Sequence, residues 1–336
     1  MGVSKDDAQE LPRIGFLGVG WIGRHRMEAI AKSGAAQVAG IADDSPQAIA
    51  EASCLAPQAK LVRNLDELLD LQLDGVVIAT PSALHAEQAM RALDRRTPVF
   101  CQKPLGRTEP EVKQVVAAAR TADRLLAIDL SYRFTQGMQR IRELIRSGEL
   151  GSVFAVDLVF HNAYGPDKPW FYDSALSGGG CVMDLGVHLV DLALWTLDAR
   201  TAGEIRAKLF AQGQPLADPA HQVEDYASVS FSLETGTAVS LACSWRLQAG
   251  CDAIIGAAFY GTRGGAALRN VNGSFYDFIA ERYRGTGTER LASPPDAWGG
   301  RAAVNWVMRL QESDRFSPEA VQLVEVARVI DRIYGR

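Results

Sequence analysis

The chain has no basic excess, no long apolar run, no paired-cysteine spacing and few histidines. Each shortage removes a class of protein. Lysine and arginine number 35 against 40 aspartates and glutamates, for a formal net charge of -5. Nucleic acid and anionic membranes are bound by clustered positive charge, so neither partner is expected. No apolar stretch approaches the ~18 residues that cross a bilayer. No basic segment followed by an apolar core marks the first dozen residues as a secretory signal. Five cysteines (Cys54, Cys101, Cys181, Cys243 and Cys251) contain no C-x-x-C pair, which favours reduced thiols and a cytoplasmic setting. With scattered cysteines and only five histidines, no metal is expected.

What remains is ordinary globular material. The 336 residues are 47% hydrophobic and 22% charged, enough for a sizeable core and about two domains. Residues 1–12 are polar and are expected to fray. The first apolar run, Arg13–Leu17, ends in Gly18-Val19-Gly20-Trp21-Ile22-Gly23, a G-x-G-x-x-G spacing followed by a helical pattern from Ile22 to Lys32. Glycines so placed allow a tight strand-to-helix turn, close approach of a pyrophosphate and close helix–strand packing, and the helix N-terminus receives the anion. A merely structural turn is the alternative, but the strand before and helix after favour a nucleotide site.

Up to about Leu130, short apolar runs alternate with helical ones, predicting six strands and five helices. That alternation reads as βαβ units and a doubly wound parallel sheet, whose ligand lies beyond the strands' carboxyl ends. Residues 13–130 are therefore expected to form a dinucleotide-binding α/β domain. Asp43 follows the second strand about twenty residues after Gly23, where an acid binds the ribose hydroxyls of NAD and repels the 2′-phosphate of NADP. Asp44, before Ser45-Pro46, can equally serve as a helix cap. Thr80-Pro81-Ser82 with His85 follows the fourth strand and Gln102-Lys103-Pro104 the fifth, so both turns face the expected crevice. Alone, Ser82 reads as a cap, His85 as a core histidine and Lys103 as a surface lysine.

Residues 131–336 have a different texture. A helix over Gln136–Arg146 is followed by period-two runs at Ser152–Phe160, Ile205–Ala211, Ala227–Leu233, Ala238–Trp245 and Ala253–Tyr260, separated by glycine turns. They predict an α+β domain with an antiparallel sheet covered on one face. Arg284–Gly300 reads as an irregular loop, and Pro318–Tyr334 as a closing amphipathic helix. Within this half, Gly178-Gly179-Gly180 opens an apolar helix carrying Asp184, His188 and Asp191 on one face. A polar stripe on a buried helix needs a partner, a ligand or a job. A structural Asp–His pair and a metal site are two readings. The third is a general base, His188, held in the right tautomer by Asp184, with the glycine run leaving space for substrate or nicotinamide.

Together these motifs resemble the Gfo/Idh/MocA oxidoreductases, the family of glucose–fructose oxidoreductase and inositol dehydrogenase. The resemblance covers the glycine loop, Asp43, Thr80-Pro81-Ser82 with His85, Lys103-Pro104, Tyr132-Arg133, Ser147-Gly148-Glu149-Leu150-Gly151, and the glycine run with Asp184 and His188. It implies an N-terminal Rossmann domain, a C-terminal domain with a large, mostly antiparallel open sheet, and dimers or tetramers formed through that sheet. It further implies a catalytic set of Lys103, Asp184 and His188, with Lys103 on the reacting hydroxyl of a sugar, sugar derivative or cyclitol and NAD as hydride acceptor. Gln102 departs from the family's usual Glu-Lys-Pro and removes an anion beside Lys103, which disfavours the lysine's charged form. Asn162, Tyr164 and Trp170, in a segment rich in aromatics and polar groups, are candidates for a carbohydrate or polyol substrate, or for a packed loop. Arg133 is a candidate for the same site or for an ion pair with a helix acid. An NAD-dependent glycosidase and a non-catalytic dinucleotide-binding regulator on the same fold stay open beside the dehydrogenase.

Overall fold

A computed structural model describes residues 10–336, so most of the N-terminal tail expected to fray lies outside the described residues. The first unit runs β1 (Arg13–Leu17), α1 (Trp21–Ser33), β2 (Gln37–Ala42), α2 (Pro46–Leu55), β3 (Lys60–Leu61), α3 (Leu65–Leu69), β4 (Gly75–Ile78), α4 (Ser82–Asp94), β5 (Val99–Cys101), α5 (Glu109–Ala122) and β6 (Leu126–Ile128). The strands form one parallel sheet in the order β3-β2-β1-β4-β5-β6. Helices cover both faces, so β4 and β5 are buried along their whole length. Local chemistry fixes the helix starts. Ser45 caps α2 by accepting from the Ala48 N–H, with Pro46 at the first helical position, and Thr108 caps α5 through the Glu111 N–H. Strand order reverses at β1/β4, and that reversal opens the crevice.

The second unit contains α6 (Gln136–Arg146), β7 (Val153–Asn162), α7 (Ser174–Ser177), a π-helical turn over Val182–Gly186 that runs on into α8 (Val187–Thr196), and β8 (Ala202–Ala211). Seven more strands follow: β9 (Gln214–Pro215), β10 (Tyr226–Leu233), β11 (Ala238–Ser244), β12 (Ala253–Gly261), β13 (Gly265–Asn270), β14 (Phe278–Arg284) and β15 (Gly287–Ala292). They join β7 and β8 in a nine-stranded sheet, β15-β14-β13-β12-β7-β11-β10-β8-β9, antiparallel except between β7 and β11. Two further helices, α9 (Arg301–Glu312) and α10 (Gln322–Tyr334), end the chain.

The sheet is larger than the period-two pattern predicts. Residues Gly265–Leu268 and Phe278–Arg282 are buried without alternation, so β13 and β14 carry no such signal. The expected loop over Arg284–Gly300 is corrected in part, because β15 lies within it as an exposed edge strand. Helix α9 was also hidden from the sequence reading. It packs on the first unit, where the buried Trp306 ring lies 5.7 Å from Phe100 and fills the space above Gly75. The closing helix begins with a 3₁₀ turn, Pro318–Val321, before α10, which touches both α5 and α8. The last segments thus clasp the two units around the crevice.

Candidate active site

A cavity of about 1000 Å³ opens at the carboxyl edge of the parallel sheet. Its wall runs from Asp43 past the glycine loop and the turns after β4 and β5 to Asp184 and His188. The loop is built for an anion. Gly18 has φ +83°, and a Cβ there would lie 2.6 Å from the Ala79 carbonyl oxygen. A Cβ on Gly23 would overlap the Gly18 carbonyl, whereas one on Gly20 would meet open space. No side chain caps α1, so its first N–H groups are available to a pyrophosphate. Gly18, Gly20, Trp21 and Ile22 line the cavity, while Gly23 packs behind it.

Asp43 closes one end. Its Oδ2 accepts from the Val19 N–H at 2.6 Å and its Oδ1 from the Ser45 N–H at 2.8 Å, which ties the end of β2 to the glycine loop. Thr80, Pro81, Ser82 and His85 all line the wall. His85 is a strut: its Nε2 meets the Thr80 carbonyl at 2.6 Å and its Nδ1 the Pro104 carbonyl at 2.7 Å. Burial holds its pKa below the ordinary value. The neutral ring donates to only one of these two carbonyls, and with both nitrogens turned to backbone it shapes the turns rather than offering a hydrogen bond to a cofactor.

At the other end, Lys103 Nζ donates to Asp184 Oδ1 at 2.5 Å and to the Asp184 carbonyl at 2.8 Å, and Trp245 Nε1 donates to Asp184 Oδ2 at 3.1 Å. Lys103 therefore has an anion beside it even though Gln102 supplies none. This overturns one expectation, since Asp184 does not hold His188. Asp184 lies in the π turn, and Lys103 and Trp245 take its two carboxylate oxygens. His188 is buried against Tyr132, edge-on with ring centroids 5.0 Å apart, and its Nδ1 has no partner. Burial, then the charges of Lys103 and Arg26, push its pKa well below the ordinary value, so it is neutral near pH 7. Asp191 belongs elsewhere: burial raises its pKa and it pairs with Arg133.

The glycine run also differs from expectation. The Cβ positions of Gly178, Gly179 and Gly180 are occupied by Arg107, Tyr334 and Glu224, so the run admits close protein packing, while Gly179 also lines the cavity. Glu224 is a residue the sequence reading missed. Fully buried, it accepts from the N–H groups of Gly180 at 3.0 Å and Val182 at 2.8 Å and from Tyr334 Oη at 2.8 Å. It anchors the turn that presents Asp184. Its one sequence cue is an acidic pair, Glu224-Asp225, before a period-two strand, which is too common to single out.

Behind Lys103 lies a second buried group. Asp129, just after β6, receives hydrogen bonds on Oδ2 from Gln102 Nε2 and Arg26 Nε, both at 2.5 Å. The carboxylate missing from position 102 thus stands at 129. Among the substrate candidates, Trp170 lines the cavity, and its ring stacks on Phe171 with centroids 3.8 Å apart. Arg133 does not line it, because Asp191, Gln322 and the Trp195 ring hold the guanidinium. Asn162 and Tyr164 are likewise outside the wall. Asn162 caps its own turn, and the Tyr164 hydroxyl donates to Asp252 at 2.6 Å. Tyr132, Phe275, Tyr276 and Trp298 line the cavity and were not singled out as substrate residues.

A doubly wound sheet, a glycine loop at a helix start, Asp43 beside it and a lysine–carboxylate–histidine group on one cavity are the features of a nicotinamide-dependent oxidoreductase. The comparisons agree. Residues 12–130 match the model of an oxidoreductase family with an NAD-binding Rossmann fold, and residues 138–267 match the GFO/IDH/MocA C-terminal domain. The chain belongs to this family. It is 27% identical to glucose-6-phosphate 3-dehydrogenase of Bacillus subtilis, over 70% of this chain and 68% of that one. It is 34% identical to inositol 2-dehydrogenase of Mycolicibacterium gilvum, over 54% of this chain and 50% of that one. The chain thus spans between half and about two thirds of the length of these curated relatives. A levoglucosan dehydrogenase solved with NADH and levoglucosan shares the fold, with a TM-score of 0.82 at 20% identity over 97% of this chain and 96% of that one. No helix among the described residues is long and apolar enough to cross a membrane.

Proposed function

We propose that the protein oxidises a secondary hydroxyl of a sugar, sugar derivative or cyclitol, with NAD as the hydride acceptor. One observation carries this reading: Lys103, Asp184 and His188 meet on the cavity that the glycine loop and Asp43 also line. NAD, when bound, supplies the carbon that receives hydride. The glycine loop holds its pyrophosphate and Asp43 its adenosine ribose. Lys103 donates a hydrogen bond to the substrate oxygen, fixed in place by Asp184 and stabilising the charge that develops as the proton leaves. His188, neutral in its buried setting, accepts that proton, a contribution of about 10²–10⁴ in rate. Trp170 and Phe171 offer an aromatic wall for the C–H face of a ring. The named activities of the relatives, on glucose 6-phosphate and inositol, support a polyol substrate.

We take 13–130 and 131–336 as the cofactor and substrate domains. The outward face of the nine-stranded sheet carries Ser228, Ser230 and Ser240 with exposed Tyr260, which supports assembly into dimers or tetramers through that face. Five free thiols support a cytoplasmic setting. The functional test is incubation of the protein with NAD and a panel of sugars, sugar acids and inositols while NADH absorbance is followed. NADH should accumulate with at least one polyol. NAD binding without reduction by any of them would remove the dehydrogenase reading, and release of aglycone from aryl glycosides without net NADH would replace it with a glycosidase.

A further inference from the structure

The Arg26–Asp129–Gln102 group is buried, lines the cavity, and has no part in the chemistry assigned to Lys103, Asp184 and His188. Burying an ion pair costs free energy that a hydrophobic cluster would not, so its position calls for a use. The pair is also incompletely satisfied. Asp129 spends Oδ2 on two donors, while its Oδ1 is buried without a partner. Arg26 spends Nε on Asp129 and Nη1 on His25 Nδ1 at 2.8 Å, leaving Nη2 without a hydrogen bond among the described residues. One acceptor and one donor are thus left over on adjoining side chains.

Strand order says which ligand group comes near them. Asp43 follows β2, the glycine loop β1, Gln102 β5 and Asp129 β6, and the sheet runs β2-β1-β4-β5-β6. With the adenosine ribose at Asp43 and the pyrophosphate at β1, the nicotinamide half must extend toward β5 and β6. Lys103, beside Gln102, marks the reacting carbon. A primary amide presents one carbonyl acceptor and one N–H donor, the complement of what Arg26 and Asp129 leave unused.

We infer that Asp129 and Arg26 form the acceptor–donor pair that reads the carboxamide of the nicotinamide ring, with Gln102 orienting Asp129. The amide N–H donates to Asp129 Oδ1 and the amide carbonyl accepts from Arg26. The pair sets the ring's rotation about its glycosidic bond, and so decides which face is turned to Lys103 and His188. The inference rests on the nicotinamide cofactor but not on any particular substrate.

The test is binding, followed by tryptophan fluorescence with no substrate present. The intact protein is titrated with NADH and with the reduced 3-acetylpyridine analogue, which keeps the carbonyl and replaces the amide nitrogen by a methyl group. The analogue should bind about tenfold more weakly, the worth of one charge-assisted hydrogen bond. In Asp129→Asn, the remaining oxygen stays on Arg26 and Gln102 and an N–H₂ replaces Oδ1. NADH affinity should fall about tenfold, analogue affinity should hold, and the preference should vanish. Equal affinities in the intact protein, or an Asp129→Asn variant that weakens both ligands alike, would overturn the assignment. The first result needs no variant and so does not depend on its folding. Failure to bind NADH at all would overturn the cofactor reading with it.

Discussion

Lys103 and Asp184 are 81 residues apart in the chain and 2.5 Å apart in space, and their ion pair joins the turn after β5 to the π turn before α8. Neither unit holds the proposed reacting group alone. The Rossmann sheet positions the lysine at the cavity, and the second unit brings the carboxylate that fixes it. Trp245 takes the other carboxylate oxygen, so Asp184 has little freedom to turn.

Asp43→Ala should weaken NADH binding by about ten- to a hundredfold, the loss of a charge-assisted hydrogen bond. The same carboxylate ties down the Val19 N–H, so part of the loss comes from the glycine loop and falls on NADPH too. The deciding quantity is the NADH/NADPH affinity ratio, which should drop. A ratio that stays fixed would show that Asp43 only supports the loop.

Glu224→Gln tests the anchor of the glycine run. The amide keeps one acceptor oxygen, while its nitrogen faces an N–H group that then lacks a partner, at a cost of about 1–3 kcal/mol. Urea unfolding should show that loss with an unchanged slope. Turnover should fall because Asp184 shifts, while NADH affinity stays near that of the parent.

Histidine protonation sets the acid limb of stability. His25, His85, His161 and His188 are all held below the ordinary pKa of 6.5, in each case chiefly by burial. The unfolded chain therefore binds protons on these groups at a pH where the folded chain does not. Stability rises with pH through that window and is lost as pH falls below about 6.5. Thermal melting between pH 7.5 and 5 should show the midpoint dropping through the lower half of that range. A midpoint that rises on acidification would contradict the assignment of neutral buried histidines.

Much of this was legible in the sequence, for identifiable reasons. The six parallel strands are short apolar runs bounded by turn residues, and the glycine loop and Asp43 lie at fixed offsets from two of them. Lys103, Asp184 and His188 are polar groups where the surrounding pattern is apolar. Some features left no local trace. β13 and β14 are buried without alternation, and Trp306 in α9 finds its partner Phe100 some two hundred residues earlier. Asp184 and His188, whose spacing of four reads as one helical face, share no hydrogen bond, because Lys103 and Trp245 take the carboxylate. Gln102 reads as the loss of a charge until β6 brings Asp129 beside it.

The central claim, proton and hydride transfer at the cavity shared by Lys103 and His188, is tested most directly by separating turnover from cofactor binding. Lys103→Met and His188→Ala are compared with the parent for kcat on the polyol found by the panel and for NADH affinity by fluorescence. Loss of about 10²-fold or more in kcat in each variant, with NADH affinity within a few-fold of the parent, is the predicted result. Turnover at the parental rate in either variant would contradict the account.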